Sequence, residues 1–170
     1  MGETPENSET YEHIGVIGGG AWGTALALAA ARAGRRVTLW AREPEVVDAI
    51  ATDRQNRMFL PGVELPASIW PTGNLTDAAQ AQALLLVSPA QHARPLLAAL
   101  APSLPATVPV GVCAKGIERG TGKLMSEVLA EFLAARQIAI LSGPSFARDV
   151  AIGLPTAVTI AGQLQIAQRL

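Results

Sequence analysis

The sequence holds a single cysteine, Cys113, in 170 residues, and aromatic side chains make up only 4% of it. A lone thiol closes no internal disulfide and builds no multi-thiolate zinc site. Charge is sparse as well: 13 Lys+Arg stand against 14 Asp+Glu, for a net charge of −1. Such a balance offers no basic field to a phosphate backbone, which disfavours nucleic acid as the main partner. With two histidines and no paired His/Asp/Glu spacing, no metal site is expected. The G-x-S-x-G pattern of a hydrolase nucleophile is missing too. No apolar stretch approaches the ~18 residues that span a bilayer. The longest candidate, Ala25 to Ala31, stops at Arg32 after seven residues and suits a buried helix face, so no membrane insertion is expected.

What the chain has in quantity is aliphatic: 49% of its residues are hydrophobic. At about 100–200 residues per domain, the length corresponds to one domain with a sizeable core. Residues 1–12 carry Glu3, Glu6, Glu9 and Glu12 without a Lys, an Arg or an apolar stretch. This is unlike a secretory signal, and the stretch reads as a flexible acidic tail on a cytoplasmic protein. The domain proper is expected over residues 13–170.

From His13 onward, short β-branched runs alternate with longer alanine/leucine segments. His13–Ile17, Arg36–Trp40, Ala83–Val87, Pro109–Cys113, Ile138–Leu141 and Ala157–Ile160 read as strands. Helices are expected over Ala21–Gly34, Glu43 to about Asp53, from Pro89 onward, Lys123–Ala135 and Ser145–Ile152. Gln55–Gly73, with two Gly and three Pro, reads as irregular loop with a short strand near Ile69. Strands that are apolar throughout and alternate with helices predict an α/β fold. Its expected form is a Rossmann-like, doubly wound, mostly parallel sheet with helices on both faces. Gln163–Leu170 resembles the first two turns of a helix without a cap, and the expectation is a piece of a longer protein.

The segment Gly18-Gly-Gly20-Ala-Trp-Gly23 fits G-x-G-x-x-G between a predicted strand and a predicted helix, the context in which that pattern signals dinucleotide binding. Gly18 permits the tight turn, Gly20 lets the backbone approach a pyrophosphate, and Gly23 lets the helix pack close to the strand. The helix N-terminus at Ala21 then presents free N–H groups to the anion. After the second strand stands Arg42-Glu43 rather than a lone acidic residue. Arg42, 22 residues past Gly20, suits the 2′-phosphate of NADP, while Glu43 suits the ribose hydroxyls of NAD. The pair favours NADP and leaves NAD open.

Three more segments follow predicted strands, on the edge where parallel sheets bind ligands: Ser88 to His92, Cys113 to Ile117 and Leu141 to Ala147. Lys115 is a candidate to neutralise an anionic substrate or polarise a carbonyl. Ser145 reads equally as a helix-start hydroxyl, His92 as a surface residue, Cys113 as an inert buried thiol, and Asp149 as a solvated helix charge.

Taken together, these segments resemble the bacterial-type NAD(P)-dependent glycerol-3-phosphate dehydrogenases. The resemblance rests on Gly18-Gly-Gly20-Ala-Trp-Gly-Thr-Ala25, Leu39-Trp-Ala-Arg42, Asn56-Arg-Met-Phe-Leu-Pro-Gly62, Ala114-Lys-Gly-Ile117 and Ser142-Gly-Pro-Ser-Phe-Ala147, in that order. It implies a cofactor-binding domain of an enzyme that interconverts dihydroxyacetone phosphate and sn-glycerol 3-phosphate for phospholipid synthesis. It further implies that Ala21, Trp22, Arg42, Phe59 and Ala147 contact the cofactor, that Lys115 touches cofactor and substrate, and that Gly143 and Ser145 touch the substrate. The resemblance further implies that the family's general acid/base lysine and an Arg/Asn pair for the substrate phosphate belong to a helical domain expected beyond residue 170. No catalytic residue is therefore assigned within this chain, and the chain alone is expected to lack turnover. A homodimer of the full-length protein is a further expectation. The alternatives are a stand-alone dinucleotide-binding module, or a different reductase on the same nucleotide fold, such as a hydroxyacid or ketopantoate type.

Overall fold

The computed structural model describes residues 10–134 and 137–169. In chain order they form β1 (His13–Ile17), α1 (Ala21–Arg32), β2 (Arg36–Trp40), α2 (Pro44–Asp53), β3 (Ile69–Thr72), α3 (Leu75–Ala79), β4 (Ala83–Leu86), α4 (Ala90–Leu100), β5 (Val110–Val112), α5 (Met125–Ala130), β6 (Ile138–Ser142), α6 (Ala147–Ala151), β7 (Thr159–Gly162) and α7 (Leu164–Arg169). The strands make one sheet in the order β3-β2-β1-β4-β5-β6-β7. All pairings are parallel except β6 with β7, which is antiparallel.

Residue alternation along the strands explains why helices cover both faces. Side chains of successive strand residues point to opposite sides. Ile14 and Val16 of β1, Val37 and Leu39 of β2 and Leu85 of β4 pack with Leu26, Val46, Ile50 and Val150 of α1, α2 and α6. Ile17, Leu84, Leu86 and Val112 pack with Ala78, Ala93, Leu97, Val128 and Leu129 of α3, α4 and α5. Each such Val or Leu contributes about 1.5–3 kcal/mol by leaving water. Gly15 marks how closely α3 approaches: a Cβ there would lie 2.5 Å from the Ala78 carbonyl oxygen.

Several boundaries differ from expectation. The expected acidic tail falls mainly on residues outside those described, but its last members belong to the fold. Tyr11 is buried, and the Glu12 N–H donates to Gln82 Oε1 at 2.7 Å. The helix expected over Lys123–Ala135 is confined to Met125–Ala130, and the end of the expected span, Ala135, lies outside the described residues, as does Leu170. The helix after Ser142 begins only at Ala147. The last strand sits two residues later than expected and is mostly exposed. α3 lies in a segment with no expected element; five residues are too few for a helical period, and Asn74 starts it by accepting from the Thr76 N–H.

Candidate functional site

Register brings the functional segments together. Ile17 pairs with Trp40 and Leu86, Leu86 with Val112, and Val112 with Ile140. These five residues form a row across the sheet, so whatever follows each emerges on the same carboxyl edge. Gly18, Arg42, Ser88, Lys115 and Gly143 all stand within three residues of that row. The chain reverses its winding between β1 and β4, which opens the crevice where such sheets bind ligands.

The glycine turn is shaped by contacts on three sides. Gly18 has φ +131° and donates to the Trp40 carbonyl at 3.0 Å; a Cβ on it would lie 2.9 Å from the Val87 oxygen. A Cβ on Gly23 would lie 1.8 Å from the Gly18 carbonyl oxygen, so α1 rests directly on the turn. Gly20 is different: a Cβ there would meet nothing within 4 Å. The first helical bond runs from the Thr24 N–H to Gly20 O at 2.9 Å. The N–H groups of Gly20, Ala21 and Trp22 have no acceptor among the described residues, and the first turn carries no acidic side chain. Open space, free donors and the positive end of a helix together suit a pyrophosphate.

Arg42 and Glu43 satisfy each other. The Arg42 Nε and Nη2 donate to Glu43 Oε1 at 3.1 and 2.8 Å, with the guanidinium side chain 71% exposed. Phe59 is partly exposed on the loop after α2, and its N–H donates to Asn56 Oδ1 at 3.1 Å. Ala21, Trp22 and Ala147 are half-buried and pack against the same hydrophobic cluster. Lys115 is exposed, and its Nζ donates to the Gly143 carbonyl at 3.1 Å. The Ser145 hydroxyl donates to the Ala157 carbonyl at 3.0 Å. Among the described residues no hydrogen bond links this Lys115–Gly143–Ser145 group to the glycine turn, although both stand on the same edge.

Three positions that lie in segments singled out in the sequence, but that have no individual role there, matter here. Asn56 is fully buried and bonds to the glycine turn. Ser88, at the end of β4, is buried with an Oγ that has no partner among the described residues. Gln91 clamps the loop beyond Lys115, donating to the Ile117 carbonyl and accepting from the Arg119 N–H, both at 2.9 Å. The burial of Asn56 and Ser88, and the reach of the exposed Gln91 from α4 to the next loop, are set by tertiary packing, which is why only the coordinates single these out. By contrast, His92 is exposed on α4. Burial pushes the Cys113 thiol up to about 12, which makes it inert as a nucleophile. No cluster of three or more His, Cys, Asp or Glu among the described residues is arranged to hold a metal ion. No described helix is long and apolar enough to cross a membrane.

A family model described as the NAD-dependent glycerol-3-phosphate dehydrogenase N-terminus matches residues 13–167. A glycerol-3-phosphate dehydrogenase [NAD(P)+] of Parvibaculum lavamentivorans is 56% identical over 151 residues, covering 89% of this chain and 45% of that protein. One of Paramagnetospirillum magneticum is 58% identical over 148 residues, covering 87% and 54%. The crystal structure of glycerol-3-phosphate dehydrogenase from Coxiella burnetii superposes with a TM-score of 0.85 at 32% identity, covering 94% of this chain and 49% of that one. The chain thus spans about half the length of the relatives it matches.

Proposed function

Since the chain belongs to the NAD-dependent glycerol-3-phosphate dehydrogenase N-terminal family, we propose that it forms the dinucleotide-binding part of an enzyme interconverting dihydroxyacetone phosphate and sn-glycerol 3-phosphate, with NADP preferred over NAD. The observation that carries this reading is the glycine turn. Free N–H groups at the start of α1 border open space at Gly20, on the carboxyl edge of the sheet.

When bound, the nicotinamide supplies the hydride that the ketone carbon of the substrate accepts. The chain's own residues bind and orient. Gly18, Gly20 and Gly23 shape the cradle, and the N–H groups of Ala21 and Trp22 face the pyrophosphate. Arg42 takes the 2′-phosphate at the adenosine end, and Phe59 flanks the cleft. The hydrogen bond from Lys115 to Gly143 holds the ammonium over the loop that begins α6. There it neutralises the anionic substrate, with Gly143 and Ser145 beside it and Ala147 on the cofactor side. The NADP preference rests on the exposure of the Arg42 guanidinium. Its Glu43 partner supports the second reading, in which NAD is bound through ribose hydroxyls.

Calorimetric titration with NADPH and NADH tests both. NADPH binding that is tighter than NADH binding, and that loses its advantage in Arg42→Ala, supports the proposal. Equal affinities transfer the adenosine end to Glu43. Binding of neither overturns it.

A further inference from the structure

Asn56 belongs to a loop, yet it is wholly buried and its side chain reaches the glycine turn. The chemistry of its partners settles which way the amide points. The Gly19 carbonyl only accepts and the Phe59 N–H only donates. Nδ2 therefore donates to Gly19 O and to Thr24 Oγ1, each at 2.8 Å, while Oδ1 accepts from Phe59 N at 3.1 Å.

The Gly19–Gly20 peptide needs such a clamp. No Cβ stands on either side of it, and glycine backbones turn with little steric resistance. Gly19 has no room for a side chain, since a Cβ there would lie 2.5 Å from Ala41 Cβ. Gly20 faces open space. In a trans peptide the carbonyl and the following N–H point in opposite directions, and no described peptide is cis. Holding the Gly19 oxygen toward Asn56 aims the Gly20 N–H away from Asn56, as a donor with no acceptor among the described residues.

We infer that Asn56 is a positioning residue for dinucleotide binding: through Gly19 it orients the Gly20 N–H toward the pyrophosphate, and through Phe59 it ties the neighbouring loop to the same turn. The inference rests on the reading that the turn holds a pyrophosphate. Asn56→Asp keeps the size and the acceptor for Phe59 but sets an oxygen against Gly19 O and removes both donated bonds.

The test compares two probes by calorimetric titration: ADP-ribose, which carries the pyrophosphate, and 2′-AMP, which carries the adenosine end without a 5′ phosphate. Loss of a correctly aimed donor to an anion weakens ADP-ribose binding by about 10- to 100-fold. Binding of 2′-AMP stays within about twofold, because that probe makes no use of the turn. An equal loss for both probes shows general loosening and overturns the inference, as does unchanged ADP-ribose affinity. Wild-type protein that binds no ADP-ribose removes the pyrophosphate reading itself, and this inference with it. Should Asn56→Asp fail to fold, the wild-type Gly20 amide is followed by nitrogen-15 NMR. A large shift and slowed hydrogen exchange on adding ADP-ribose support the inference, and a Gly20 amide that does not respond overturns it.

Discussion

Lys115 Nζ donates to the carbonyl oxygen of Gly143 across 3.1 Å, joining the loops that follow the adjacent strands β5 and β6. The bond uses one of three ammonium hydrogens and leaves the charge at the sheet edge. In the full-length enzyme proposed above, replacing the charge while keeping the stem, as in Lys115→Met, is expected to raise the KM for dihydroxyacetone phosphate on the order of tenfold. Melting temperature is expected to change little, because the lost bond is exposed. Steady-state kinetics and a thermal melt on the same preparation check both.

The glycines of the turn have separable roles. Gly23→Ala places a Cβ 1.8 Å from Gly18 O and is expected to destabilise the fold by about 3 kcal/mol, the upper part of the range for overpacking. Gly20→Ala meets no atom within 4 Å, and at φ −71° an alanine is unstrained. That variant is expected to keep its stability and lose dinucleotide affinity. Urea unfolding and ligand titration of both variants separate the two effects.

Ser88 Oγ is buried without a partner among the described residues. Removing an unsatisfied hydroxyl relieves its desolvation cost, so Ser88→Ala is expected to stabilise the ligand-free protein by about 1 kcal/mol. Denaturant unfolding without cofactor reads this directly, and a clear loss of stability would count against it.

Glu43 competes for the guanidinium assigned to the 2′-phosphate. In Glu43→Gln the charge of the partner is gone. The ratio of NADH to NADPH dissociation constants is expected to rise roughly three- to tenfold, as an exposed pair is weak and a phosphate–Arg pair is stronger. Paired titrations measure the ratio.

Acid sensitivity should trace to the Arg94 cluster. Hydrogen bonds from Arg94 and Lys123 hold the Glu131 carboxyl down to about 2, and Arg94 and Thr121 lower that of Glu118. A carboxyl depressed in the folded state stabilises it above the unfolded pKa, near 4.3. That contribution is lost as pH falls through the folded value. The stability difference between wild type and Arg94→Met is therefore expected to be full near pH 6 and to shrink from about pH 4.3 toward 2. Urea unfolding across that range checks the trend.

Much of the fold was legible because it depends on local pattern. Apolar runs such as Ala83–Leu86 are readable as buried strands, and Gly18–Gly23 is readable as a tight turn between strand and helix. Short elements escaped: α3 is too brief to show a helical period, and α5 starts two residues late because the Glu127 carboxylate accepts from the Leu124 N–H and caps the helix there. The acidic start departs from the expected tail at Tyr11, whose burial depends on distant neighbours rather than on its own surroundings in the chain.

Periodicity alone determined the fold class, since it is encoded within a few residues, and the five motifs from Gly18 to Ala147 carried the resemblance to the family that the comparisons bear out. Tertiary structure alone decided how the site is held: the Asn56 clamp on Gly19, the orphaned Ser88 hydroxyl, the Arg42–Glu43 pairing and the Lys115–Gly143 bond. Except for the adjacent Arg42 and Glu43, these link segments or faces set by packing. Hydrogen bonds depend on where atoms lie in space, and sequence distance carries no record of that.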